Sequence, residues 1–161
     1  MTQPFVIILM GSRSDEPHAA RIAEAARSLG LEAVLHIGSA HKTPEHVLTL
    51  LRRYEQDPRP KVYVTVAGRS NALSGFVDAA VTAPVIACPP PSDAFGGADL
   101  YSSLRMPSGV APALILEPAN AALLAAKILG VQDAGLRQQV AQFQQRQREK
   151  ILSDDTAVQT Q

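Results

Sequence analysis

A surplus of charge is the first thing this sequence lacks. Fifteen lysines and arginines balance fifteen acids, for a formal net charge of zero. Without a basic excess the chain has no electrostatic footprint for DNA, RNA or an anionic membrane surface. Cysteine is nearly absent. A single residue, Cys88, excludes an intramolecular disulfide and suits a reducing cytoplasm. It lies in the apolar run PVIACPP with no acid or base beside it, which reads as a buried structural thiol, not a nucleophile. No stretch of twenty apolar residues occurs, so no membrane span is expected. The opening MTQPFVIILMGS has no basic segment and only a short apolar run, and reads as a first strand, not a signal peptide. The metal-ligand spacings HxH, HExxH and CxxC are missing, so no metal site is expected. The GxSxG elbow is also missing, and so is the glycine spacing of a Walker loop or a dinucleotide fingerprint. There is no internal repeat.

What is present is a regular alternation. The length of 161 residues fits one domain, and 46% hydrophobic against 19% charged residues fits a globular core. FVIILM at 5–10 is a continuous apolar run, as expected of a strand covered on both faces. Ala19, Ile22, Ala23, Ala26 and Leu29 then recur at helical spacing, with Gly30 placed to close the helix. A second strand is expected at 32–38. A second helix is expected with Thr43 as its cap, Pro44 at its first position and Val47, Leu50, Leu51 and Tyr54 on one face. KVYVTVAG at 61–68 reads as a third strand, RSNALSG as its turn and GFVDAAV as a short helix. PVIACPP reads as a fourth strand, 92–106 as a loop and helix, ALILEP at 113–118 as a fifth strand, and 119–129 as a buried helix. Such alternation implies a parallel, doubly wound α/β sheet with right-handed crossovers. Residues 131–152 read as a polar helix with Leu136, Val140 and Phe143 on one side; packing on its own domain and packing on a neighbouring subunit are both open. Residues 153–161 are expected to be a loose tail.

Ligands of such sheets bind beyond the carboxyl ends of the strands, and three polar turns are expected there. In GSRSD, backbone N–H groups at a helix start suit a phosphate. Ser12 and Ser14 add hydroxyls, and Asp15 suits a ribose diol or an amine; helix capping by Ser14 or Asp15 is the simpler reading of this turn alone. GSAHKTP brings together Ser39, His41 and Lys42. An imidazole beside an anion-binding ammonium makes a proton-transfer unit, whereas a plain helix entry with solvated side chains is the alternative. Of the other histidines, His18 and His46 fall at helix starts and read as surface or capping residues, and His36 lies in a strand. AGRSNALSG contributes Gly68, where a ligand can approach the backbone, with Arg69, Ser70 and Asn71. Each turn alone has an ordinary structural explanation. All three at one sheet edge make a site. The Pro- and Gly-rich stretch PPPSDAFGGADLYSSLRMPSG reads as a wall or lid, or as a rigid connection.

MGSRSD, SAHKTPE, VAGRSNALSG, PVIACPP, SSLRMPSG and NAALLAAKILG, in this order, resemble the aminoimidazole ribonucleotide carboxylase family of purine biosynthesis, over about Val6 to Gly130. The family has a mutase class, which moves a carboxyl group from a carbamate on the ring amine, and a class that uses carbon dioxide directly. The mutase pattern usually reads SAHRTP and AGGAAHLPG. Here Lys42 replaces the arginine and Ala72 stands in place of the second histidine, which resembles the direct carboxylase, with the mutase as the alternative. The resemblance implies a three-layer α/β/α, flavodoxin-like or Rossmann-like subunit. It comprises a core at about 5–130, a helical extension at 131–152 that reaches a neighbouring subunit, and a tail at 153–161. It also implies a cytoplasmic, stand-alone homo-oligomer, an octamer or alternatively a tetramer. The implied partners are a nucleotide substrate and carbon dioxide, with no cofactor and no metal. His41 would be the catalytic base. Ser12 and Asp15 would hold the ribose phosphate part with Ser39 and Lys42 nearby, and Gly68, Ser70 and Asn71 would line the base and carboxylate region. A non-catalytic nucleotide-binding module is the remaining reading of another kind.

Overall fold

A computed structural model describes residues 3–159. β1 (Phe5–Met10) runs through its centre with every residue buried. It pairs in parallel with β2 (Glu32–Ile37) on one side and β3 (Lys61–Val66) on the other. β4 (Val85–Ala87) and β5 (Ala113–Leu114) continue the parallel sheet, giving the order β2-β1-β3-β4-β5. Successive residues of a strand face opposite sides, and β1 divides its side chains accordingly. Val6, Ile8 and Met10 join one core cluster with α1 (Glu16–Ser28) and α4 (Pro118–Gly130). Phe5, Ile7 and Leu9 join another with α2 (Pro44–Glu55) and α3 (Ala72–Asp78). A run that is apolar at every position is thus what a central strand of a three-layer α/β/α fold requires.

On the first face, Ala19, Ala23 and Ala26 of α1 and Ala121, Ala122, Ala125 and Ala126 of α4 share the core cluster. Small side chains at both surfaces let the two helices lie close. Gly30, at φ +86°, turns the chain out of α1 into β2. In the first half of α5 (Ala134–Gln159), Leu136 and Val140 are buried, with Phe143 partly buried, in the chain's own first cluster, as the own-domain alternative expects. The helix does not stop at 152, as read from the sequence, but continues to Gln159. No Gly or Pro breaks it there, the Thr156 hydroxyl donates to the Leu152 carbonyl at 3.0 Å, and the Gln159 amide donates to Asp155 at 3.0 Å. Residues 160 and 161 lie outside the described residues.

Other boundaries also move. α3 begins at Ala72, inside the stretch read as a turn, because the Asn71 side chain caps it by accepting from the Ser74 N–H at 3.3 Å. The segment Ala94–Ser103 is 3-10 helix, interrupted where Phe95, Gly96 and Gly97 take left-handed conformations. The fifth strand is cut to Ala113–Leu114, the two residues that pair with β4. Among the described residues no helix is long and apolar enough to cross a membrane.

Candidate active site

The parallel sheet puts the carboxyl ends of β1 to β4 at one edge. The chain leaves β1 for β2 on one side and reaches β3 on the other, so the crevice between their turns is a topological switch point. A cleft of about 510 Å³ opens there. The first three turns all line it, and so does a fourth, after β4, through Pro90 and Ser92.

The first turn follows β1 directly. Gly11 donates to the Val66 carbonyl (2.9 Å), which ties it to β3. The Asp15 carboxylate accepts from the Ser12 N–H (3.0 Å) and the Ser12 hydroxyl (3.1 Å), and the Ser12 and Ser14 hydroxyl oxygens lie 2.6 Å apart. Asp15 therefore shapes this turn, as the capping alternative held, and also lines the cleft.

The second turn is a closed ring of hydrogen bonds. The Ser39 N–H donates to the Thr43 hydroxyl (2.9 Å), the Thr43 N–H to the Ser39 carbonyl (2.9 Å), and the Lys42 N–H to the Ser39 hydroxyl (3.2 Å). Thr43 occupies the cap position of α2, but its side chain turns back to Ser39 and makes no capping bond to the helix. Ala40 packs against the second core cluster, pinning the ring from beneath. Gly38 makes the ring possible: a Cβ there would lie 2.8 Å from Val47 Cγ2. The result presents His41 and Lys42, both exposed, to the cleft. Neither side chain has a hydrogen-bond or ion-pair partner among the described residues.

The third turn carries backbone strain. Arg69 sits at φ +59°, a left-handed conformation that side-chain-bearing residues rarely adopt. Gly68, Arg69 and Ser70 line the cleft, and Gly68 packs on the Pro90 ring. Asn71 does not line it, contrary to the sequence reading. It is 2% exposed, because both ends of its amide are drawn inward: Nδ2 donates to the Ser103 hydroxyl (2.9 Å) and Oδ1 accepts from the Ser74 hydroxyl (2.7 Å). The structure thus brings His41, Ser12, Asp15, Ser39, Lys42, Gly68 and Ser70 together and leaves Asn71 behind them. Pro90 and Ser92 line the cleft as part of the Pro- and Gly-rich stretch, in line with its reading as a wall, although the sequence did not single out either residue. The charged side chains of the lining, apart from the imidazole, are the cations Lys42 and Arg69 and the anion Asp15. Their balance favours an anionic ligand with one polar group facing a carboxylate.

The other histidines are placed apart. His18 is not a surface residue: it shares the inward face of α1 with Ala19 and Ile22, is 8% exposed, and its Nε2 lies 3.4 Å from Cys88 Sγ. Burial chiefly, and then Arg21, lowers its pKa. Cys88 is fully buried and pushed up to about 12, by burial first and Glu117 second, which suits an inert thiol. His36 bonds the Tyr54 hydroxyl at 2.6 Å, and its pKa is lowered by burial and then by Arg53 and His46. His46 is exposed. A second cavity of about 430 Å³ lies behind the Gly68–Pro90–Ser92 wall, with His18 among its lining.

A family model described as AIR carboxylase matches residues 5–150. The chain is 57% identical to a phosphoribosylaminoimidazole carboxylase of Treponema denticola, over 96% of this chain and 97% of that one. It is 56% identical to a phosphoribosylaminoimidazole carboxylase of Archaeoglobus fulgidus, over 92% of this chain and 82% of that one. The fold matches the crystal structure of Treponema denticola PurE with a TM-score of 0.95, over 96% of this chain and 98% of that one.

Proposed function

This chain belongs to the AIR carboxylase family, and from that premise we propose that its cleft carboxylates 5-aminoimidazole ribonucleotide with free carbon dioxide, reversibly and without ATP. It is a carboxy-lyase of purine biosynthesis. The observation that carries the finer reading is the convergence of His41 with two anion-compatible turns in one cleft. The amino group of the substrate pushes electrons into the imidazole ring and makes the adjacent ring carbon nucleophilic. That carbon attacks carbon dioxide: a carbon–carbon bond forms, and one C=O electron pair moves onto oxygen as carboxylate. The ring carbon then carries both hydrogen and carboxylate. His41 takes the proton, and the electron pair of the broken C–H bond restores the aromatic ring. In the reverse direction protonated His41 donates to that carbon and carbon dioxide leaves.

Lys42, Ser39 and Ser12 hold the ribose phosphate part, with Asp15 toward the ribose hydroxyls. Gly68 and Ser70 face the base and the new carboxylate. The closed Ser39–Thr43 ring supports this assignment, because it fixes the backbone from which His41 projects. Lys42 and Ala72 favour direct carboxylation over transfer from a carbamate, on the motif resemblance described above. The exposed outer part of α5, with Ile151, Leu152 and Val158 uncovered, is the surface we assign to contacts in a homo-oligomer, an octamer by expectation. The enzyme would work in the cytoplasm.

The deciding experiment compares carboxyl donors with isotope labels. Purified protein receives aminoimidazole ribonucleotide with labelled carbon dioxide, and separately the labelled carbamate isomer in a pool of unlabelled carbon dioxide. Fixation of the free gas, with dilution of the carbamate label, is expected. Retention of the carbamate label with little fixation would establish the mutase instead.

A further inference from the structure

We infer that Asn71 is a positioning residue for this reaction: it latches the Ala94–Ser103 segment to the third turn and so holds the backbone of Gly68, Arg69 and Ser70 at the cleft wall. The inference rests on the carboxylase reading. A non-glycine residue at φ +59°, as Arg69 is, persists only where its surroundings fix it. Among the described residues no backbone–backbone hydrogen bond holds Gly68, Arg69 or Ser70. The restraint comes from the residue two positions on and from a segment far along the chain. The Asn71 N–H donates to the Ser102 hydroxyl at 2.9 Å. That hydroxyl gives its one proton to the Asp99 carbonyl at 2.7 Å, with the Arg69 carbonyl 3.3 Å from the same oxygen. Asn71 Nδ2 donates to the Ser103 hydroxyl at 2.9 Å. On the other side, Asn71 Oδ1 accepts from the Ser74 hydroxyl, and Thr65 of β3 donates to that hydroxyl at 3.0 Å.

This is a continuous polar chain from β3 through the start of α3 to the Ala94–Ser103 segment. Thr65, Ser74, Asn71 and Ser103 are all buried, and among the described residues no buried side-chain nitrogen or oxygen lacks a partner. A satisfied buried network fixes one geometry. The geometry it fixes here is that of two cleft walls at once. The third turn is one. The other is Ser92, which lines the cleft and donates to the Asp99 carboxylate at 3.0 Å, inside the same segment. Release of the latch lets both walls shift, although no latch side chain touches the cleft.

The latch acts on the reacting end of the substrate. Ser12, Ser39 and Lys42, which hold the phosphate part, sit on other turns and stay in place. Ser102 is exposed, so Ser102→Ala removes the acceptor without opening a core cavity, and Ser102→Thr restores it. Ser103→Ala removes the acceptor of the Asn71 amide as a second test. The experiment measures kcat at saturating nucleotide and carbon dioxide, KM for the nucleotide, and thermal melting. Expected is a kcat lower by about 10- to 100-fold in both alanine variants, as for a small misplacement of reacting groups. KM for the nucleotide stays near that of the parent, and Ser102→Thr regains kcat. Parental kcat in both alanine variants, a loss carried by KM alone, or equal impairment of Ser102→Ala and Ser102→Thr would overturn the latch. Carboxylation by the parent protein is measured first. Its absence would overturn the carboxylase reading itself, a failure distinct from that of the latch.

Discussion

Gly38→Ala should be among the most damaging single-methyl additions near the site. The residue is buried, its N–H donates to the Met10 carbonyl at 2.9 Å, and a Cβ would meet Val47 Cγ2 at 2.8 Å and Leu9 Cδ1 at 3.4 Å. Val47 and Leu9 are 0% and 1% exposed, and Val47 is β-branched and stiff on a helix, so neither yields freely. The backbone cannot retreat without losing the bond to β1. Overpacking of this kind costs about 1–3 kcal/mol. For a chain of this size each kcal/mol lowers the melting temperature by about 2–4 °C. The assay is a double-mutant cycle with Val47→Ala, read by denaturant unfolding. Val47→Ala alone removes two buried methyl groups and costs upward of about 1.5 kcal/mol. Because it also removes the clashing atom, the double mutant should be less destabilised than the two singles summed, by about 1 kcal/mol or more. Additive losses would refute the clash as the cause. Activity should follow the same pattern, since the second turn, with His41 and Lys42, starts from Gly38.

His41→Asn should lower kcat by at least about 100-fold while calorimetry still detects nucleotide binding; near-parental turnover would remove His41 from the role of base. Lys42→Ala should raise KM for the nucleotide with a smaller effect on kcat, and an unchanged KM would contradict a phosphate contact. Stability should decline as pH falls below 6.5, the ordinary histidine value, because His18 and His36 have lowered pKa values when folded, so the unfolded chain takes up protons first. Unfolding free energies measured from pH 7 to 5 should fall less steeply in His18→Gln and His36→Gln, and slopes equal to the parent's would contradict this.

The central strand, the alanine faces and the three turns were legible because each depends on residues close in sequence. FVIILM has one sensible place in an α/β fold. Gly38, Pro44 and the periodicity from Val47 to Tyr54 bracket the second turn. What escaped depends on distant partners. Asn71 carries the same polar amide whether it faces a ligand or the interior; Ser103 decides, and no local pattern announces it. His18 looked exposed at a helix start, yet spacing from Ile22 put it on the buried face, where Cys88 waits. The short fifth strand reflects pairing with only two residues of β4. The fourth turn was legible only as a stretch, a wall or a rigid connection, because nothing local to Pro90 or Ser92 tells which of its residues reach the cleft.

The cleft is assembled from segments between Gly11 and Ser92 that meet only when β1 to β4 lie side by side in parallel. Parallel neighbours cannot be joined by a tight hairpin; each pair must wait for an intervening crossover to close. Nucleotide binding is therefore a late event in the life of a newly made chain. A refolding protein should regain helical circular dichroism before it regains a binding signal, and nucleotide present during refolding should trap chains in which β1 to β4 are already paired, without hastening the early steps. The nucleotide thereby reports the pairing of β1 to β4, the part of the sheet from which its cleft is made.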